Sequence, residues 1–164
     1  MEILGEYYTS IKKALSEVDE NWGRYIGVII AGSHNPNNFD IEYILDHIRE
    51  AREKGFPLYG ECWGYQMCAV EYARNVLGVK DATSEEWGKG TFVVKKRKNG
   101  LNVGHRNGES YWNNFEVDLL SWQIPSNFFI AQYHPSYESS LRKPHKLITE
   151  FLKYAREYTR NMAV

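Results

Sequence analysis

An α/β fold is predicted, a doubly wound, mostly parallel sheet flanked by helices with a small antiparallel hairpin region, and three observations predict it. Apolar runs that read as buried strands alternate with segments of helical periodicity, strand, helix, strand, helix. The run Gly60-Glu61-Cys62-Trp63-Gly64 stands between a short apolar stretch and an amphipathic segment, where a sharp strand-to-helix turn needs small residues on both sides. Finally, Phe128–Tyr133 reads as a strand stopped by His134-Pro135, because proline cannot extend a sheet ladder.

Leu4, Tyr7, Tyr8, Ile11, Ala14, Leu15 and Val18 recur at helical spacing and predict a helix near 6–20. Tyr25–Ala31 is a continuous apolar run, as expected of a parallel strand buried on both faces. Gly32-Ser33-His34-Asn35-Pro36-Asn37-Asn38 is loop chemistry, after which Asp40 caps a helix carrying Ile41, Ile44, Leu45 and Ile48. Phe56–Gly60 is the next strand and 65–77 the helix after it. Residues 91–117 read as a hairpin or meander, with Thr91–Val94 and Leu101–Val103 as arms, the basic run Lys95–Lys98 at the tip and Asn99-Gly100 as the turn. Residues 144–160 close the chain as a helix with Leu147, Phe151, Leu152 and Ala155 inward. Without linkers or repeats, residues 1–164 are expected to form one domain.

Composition excludes several classes. With 43% hydrophobic residues and a net charge of −1, the chain can build a core and has no electrostatic footprint for nucleic acid or membrane. No run approaches the ~20 apolar residues of a membrane span. The five histidines lack zinc-ligand spacing and no acidic loop suggests calcium, so neither metal nor cofactor is expected. None of the 13 glycines falls in a phosphate-cradling pattern. Two cysteines and no apolar N-terminal leader point to a reducing cytoplasmic setting. Cys68, on the apolar face of its helix with Tyr65, Tyr72 and Val76, reads as a core residue.

Cys62 is the candidate nucleophile. At the start of a helix a cysteine meets the positive end of the macrodipole, which favours thiolate. His134, at another strand end, is the candidate base that takes the thiol proton and returns it to a leaving amine.

The wording of these segments goes further. Gly60–Gly78 reads GECWGYQMCAVEYARNVLG, and the histidine segment QYHPSY. They resemble the class I (triad) glutamine amidotransferases, most closely the glutaminase domains of CTP synthases, which read close to GICLGMQLAVIEFARNVLG and QFHPEF. Weaker likeness extends to Tyr8–Leu15, Gly27–Gly32, Ser84–Trp87 and Phe115–Val117. The resemblance implies a short stand-alone amidotransferase-like domain with a flavodoxin-like three-layer sandwich. It implies an activity in which Cys62 attacks the side-chain amide of glutamine, or a related small amide, through a thioester, with His134 protonating departing ammonia. The amides of Gly32 and Trp63 would form the oxyanion hole. Gln66, Ser33, Asn114 and Glu86 would bind substrate, Glu86 through its α-amino group. A separate synthase subunit is the implied recipient of the ammonia.

Four departures from the family pattern temper that transfer. The triad acid of HPEF is Ser136 here; Glu138, two residues on, is poorly directed to replace it. The loop GGFG becomes Gly32-Ser33-His34-Asn35. The arginine-rich strand that clamps the substrate's carboxylate is represented by Tyr111–Asp118, with Asn114 where arginine is expected, so the clamp is either absent or moved to His105-Arg106. Trp63 replaces leucine and is expected to narrow or reshape the pocket. The aromatics Tyr65, Trp87, Trp112, Tyr133 and Tyr137 fall near the expected site, where an aromatic lining would suit a flat or apolar amide better than free glutamine, although most of these rings read as core. The chain is also shorter than the family between Trp22 and Gly27, and no synthetase domain is read before residue 1. Such a loss would expose a sheet edge, which makes a homodimer an option. Two readings stay open: a small amidohydrolase, or a degenerate domain retained to bind a ligand or partner.

Overall fold

The computed structural model describes residues 1–106 and 108–163; Asn107, within the expected hairpin, and Val164 lie outside them. A four-stranded parallel sheet runs in the order β1 (Glu2–Leu4), β2 (Val28–Ile30), β3 (Leu58–Glu61), β7 (Phe128–Ala131). Alternation along its central strands sends side chains to opposite faces. Val28, Ile30 and Leu58 pack with α2 (Ile41–Lys54) and α3 (Trp63–Asn75), whereas Ile29, Ala31 and Tyr59 pack with α1 (Thr9–Val18) and α5 (Lys146–Met162). This is the doubly wound, three-layer sandwich that the alternating pattern predicts.

Local chemistry sets the helix ends. Asp40 accepts the Tyr43 amide at 3.1 Å and starts α2; Gly55, at φ +79°, ends it in the left-handed conformation glycine adopts without penalty. In α5, Ile148, Phe151, Leu152 and Ala155 form the buried stripe. No helix among the described residues is long and apolar enough to cross a membrane.

A second sheet, β4 (Ala82–Ser84), β5 (Thr91–Arg106) and β6 (Glu109–Val117), lies beside the first, with β4 parallel and β6 antiparallel to β5. The hairpin is longer than its predicted arms. Asn99-Gly100 is not its turn: β5 runs through the basic segment, and the chain reverses between the paired Arg106 and Glu109, where Gly108 has φ +79°. Residues 97–100 instead form a bulge, because Lys96 pairs with Phe115 and Leu101 already pairs with Asn113. Charge pairs hold the basic run flat against the neighbouring segment: Lys95 with Asp118 at 2.7 Å and Arg97 with Glu116 at 2.6 Å.

The N-terminal strand is also a correction. Leu4 belongs to β1 rather than to the first helix, which begins only at Thr9. Three residues are too short for an alternation pattern to register; pairing with β2 at Glu2–Val28, Ile3–Ile29 and Leu4–Ile30 makes the strand. β1 thus covers β2 within the chain, and β1 and β7 are the edge strands of this sheet.

Candidate active site

Strand β3 delivers the elbow. Cys62 follows its last residue at φ 53° and ψ −105°, the one non-glycine positive φ among the described residues, and α3 starts at the next position. The turn is tight enough to dictate its glycines. A Cβ on Gly64 would lie 2.1 Å from the Ile30 carbonyl oxygen, and one on Gly60 3.3 Å from the Gly64 backbone.

His134 leaves β7 through a short segment and precedes the single-turn helix α4 (Pro135–Glu138). Its amide donates to the Val103 carbonyl at 2.7 Å, tying the histidine loop to β5. The Tyr137 ring stacks on the imidazole at 4.3 Å with planes 6° apart. Cys62 is 8% exposed and His134 5%. Burial alone would lower the histidine pKa, but interactions with the Cys62 sulfur and the Glu61 carboxylate outweigh it and lift the value to about 9. Gly32 lies against both groups: a Cβ there would be 3.1 Å from His134 Cε1 and 3.8 Å from Cys62 Cβ.

The carboxylate on the histidine does not come from its own loop. Glu138 is exposed, and Ser136, at the expected acid position, is buried. Glu61, 0% exposed at the end of β3, meets His134 Nδ1 through Oε2 at 3.0 Å. It shares the face of Tyr59, two residues earlier, whose hydroxyl donates to Oε1 at 2.6 Å. Ser136 completes the shell, its amide donating to Oε1 at 2.8 Å and its hydroxyl to Oε2 at 3.0 Å. The acceptor role of Glu61 puts the proton of a neutral imidazole on Nδ1 and leaves Nε2 for Cys62. Sequence reasoning missed Glu61, although an ionisable residue in a central parallel strand is itself a signal, since acids are rarely buried there without partners.

A cavity of about 530 Å³ opens over Cys62 and His134, lined also by Gly32, Ser33, Glu86, Arg106 and Asn114. Ser33 spends its hydroxyl on the loop, donating to Glu6 at 3.0 Å and accepting the Asn35 amide. Glu86, half-buried and after β4, has its carboxyl raised by desolvation to about 7. Gln66 is buried outside the lining and donates to the Phe115 carbonyl at 3.2 Å. Asn113, next to Asn114 in the lining, brings its amide 2.8 Å from Cys62 Sγ. Of the two residues proposed for a displaced clamp, Arg106 lines the cavity, whereas His105 pairs with Ser110 at 2.8 Å.

The aromatics divide. Trp112 and Tyr137 line the cavity together with Tyr7 and Tyr111; Tyr65 packs on Trp122 and Tyr133 on His145, and Trp87 packs on the core. The Trp63 indole also turns into the core, against Phe39 at 5.6 Å, so it does not reshape the cavity as its sequence position suggests. Among the described residues no group of three or more histidine, cysteine or acidic side chains could hold a metal ion.

A thiol at a strained elbow, an imidazole beside it and a cavity at the carboxyl ends of a parallel sheet define a class that family comparison identifies. The chain matches the glutamine amidotransferase class-I family model over residues 5–124 and belongs to that family. Among its relatives, a CTP synthase of Methanoregula boonei is 41% identical over 136 residues, covering 80% of this chain and 26% of the relative. A CTP synthase of Ruminiclostridium cellulolyticum is 28% identical over 185 aligned positions, covering 80% of this chain and 34% of the relative. The chain thus spans about a quarter to a third of the length of these relatives. A solved structure, the Trypanosoma brucei CTPS glutaminase domain with bound acivicin, shares the fold at a TM-score of 0.70 and 16% identity, covering 95% of this chain and 93% of that one.

Proposed function

We propose that the chain is an amidohydrolase of the glutaminase type, acting as one amidotransferase-like domain over residues 1–164 on the side-chain amide of glutamine or a related small amide. The observation that carries this is the Cys62–His134 pair, with a buried carboxylate on the far ring nitrogen, at the floor of a cavity that also holds an acid and an arginine. Cys62 Sγ attacks the amide carbon while the amides of Gly32 and Trp63 receive the oxyanion, a contribution of about 3 kcal/mol per donor. The tetrahedral intermediate collapses to a thioester as His134 gives its Nε2 proton to the departing nitrogen, releasing ammonia. Water, deprotonated by the same nitrogen, then cleaves the thioester to the carboxylic acid and restores the thiol.

Glu86 takes the substrate's α-ammonium and Arg106 its carboxylate, the two charges of a free amino acid. Ser33 and Asn114 line the same space, and Gln66 supports the wall through Phe115. The ammonia passes to a separate synthase subunit, and the setting is the reducing cytoplasm. A binding-only role was suggested by the serine at the acid position; the carboxylate of Glu61 on His134 supports hydrolysis instead.

The test is intact-protein mass after incubation with 6-diazo-5-oxo-norleucine, beside ammonia release from L-glutamine, with Cys62→Ser as control. An adduct and ammonia that both vanish in the variant are expected. A folded protein that forms no adduct and releases no ammonia would overturn the glutaminase reading.

A further inference from the structure

The two departures closest to the chemistry are reciprocal in space. Where the family pattern has an apolar residue before the nucleophile, this chain has Glu61; where the pattern has the acid two residues after the histidine, it has Ser136. In the fold these positions touch. Ser136 donates both its amide and its hydroxyl to Glu61, and the oxygen that accepts the hydroxyl also meets His134 Nδ1.

We propose that Glu61 is the positioning acid of the Cys62–His134 pair, and that Ser136, standing where the resemblance places that acid, serves to hold it. This rests on the hydrolytic reading given above. Four donors surround the carboxylate, Tyr59 and the Ser136 amide on Oε1, His134 and the Ser136 hydroxyl on Oε2, and they occupy the acceptor sites a carboxylate offers. A fully buried charge on a central strand is tolerated only with such a set. The consequence for the imidazole is twofold: the Nδ1 proton is held on the carboxylate side, and the charged ring, with its second proton on Nε2 for the leaving nitrogen, is favoured. The source of the carboxylate also changes. It sits on rigid β3, one residue from the nucleophile, so acid and nucleophile are placed by a single strand, while the histidine loop supplies the base and two donors.

Three variants test this, Glu61→Gln, Glu61→Ile and Glu61→Ile/Ser136→Glu, the last returning the acid to the histidine loop. Two readouts are needed: kcat and KM for ammonia release from glutamine, and the His134 titration followed by NMR in a Cys62→Ser background, which needs no turnover. Glu61→Gln is expected to lower kcat by about 100-fold or more with KM within a few-fold, and to move the His134 midpoint down by at least about one unit. The double variant is expected to recover at least about tenfold of the activity lost in Glu61→Ile.

An unchanged His134 midpoint and unchanged kcat in folded Glu61→Gln would overturn the assignment, and a folded double variant no better than Glu61→Ile would overturn the exchange. If Glu61→Gln does not fold, Glu61→Asp replaces it: the charge stays but retreats by one methylene, and kcat is expected to fall while the His134 midpoint stays raised. Unchanged kcat in that variant would count against the role. Should the wild type release no ammonia, the glutaminase reading falls, and the His134 titration still decides whether Glu61 governs the imidazole.

Discussion

The pH dependence of substrate capture follows from Glu86. Its carboxyl is half-buried against the cavity without a positive partner among the described residues, and desolvation raises it from 4.5 to about 7. Only the ionised form attracts an ammonium. At pH 6 about one-tenth of the free protein carries that charge and at pH 8 about nine-tenths, so kcat/KM for glutamine should rise about tenfold between them. Once substrate is bound, its ammonium holds the carboxylate ionised, so kcat should lack this limb. A falling limb near 9 is expected in kcat/KM, where His134 loses the proton that the leaving nitrogen needs. Steady-state ammonia release from pH 5 to 10, in wild type and Glu86→Gln, reads both limbs; the variant should raise KM and abolish the lower one. The shift also links to stability, and its sign is fixed. A folded-state pKa raised above 4.5 gives stability that is present below 4.5 and lost as pH rises through about 7, so Glu86→Gln should flatten the denaturation midpoint over that window. An acid limb that persists near 7 in the variant, with KM unaltered, would refute the assignment of Glu86 to the ammonium.

Two predictions concern the scaffold. Arg52 grips the fully buried Glu71 of α3 with bonds of 2.7, 2.9 and 3.1 Å, so Arg52→Met should cost about 3–5 kcal/mol by urea denaturation, with much of it recovered in Arg52→Met/Glu71→Leu; a single variant within experimental error of wild type would contradict this. Gly64→Ala places a carbon 2.1 Å from the Ile30 carbonyl oxygen and should cost about 3 kcal/mol or more, read as a lost or sharply lowered Tm. An undisturbed melt would mean that α3 can retreat from β2.

The sheet and its helices were legible because their signals are local and periodic: the apolar run at Tyr25–Ala31, the Asp40 cap and the glycines around Cys62 each report one element. What escaped depends on partners distant in sequence. Glu2–Leu4 is a strand because β2 lies beside it, and the hairpin turns between Arg106 and Glu109 because a bulge at 97–100 carries β5 past its first Asn-Gly pair. At the site, Cys62, His134 and Gly32 could be placed together because loops after parallel strands converge. Glu61 could not be linked to His134, since a motif compared position by position looks for the acid where relatives keep it. The contact of Asn113 with Cys62 also escaped, because it joins residues 51 positions apart that only the folded hairpin brings together.

The backbone at Cys62 carries a further consequence. Its φ of 53° with ψ of −105° is a conformation that side-chain-bearing residues adopt at a cost of about 1–3 kcal/mol, and glycine with little or none. Stability and the presence of a thiol therefore pull in opposite directions at this residue. Cys62→Gly should melt higher than the wild type while losing every reaction of the sulfur. Selection for endurance alone would drift toward glycine here, and a Cys62→Gly variant that melts no higher than the wild type would mean that the turn stores no such strain.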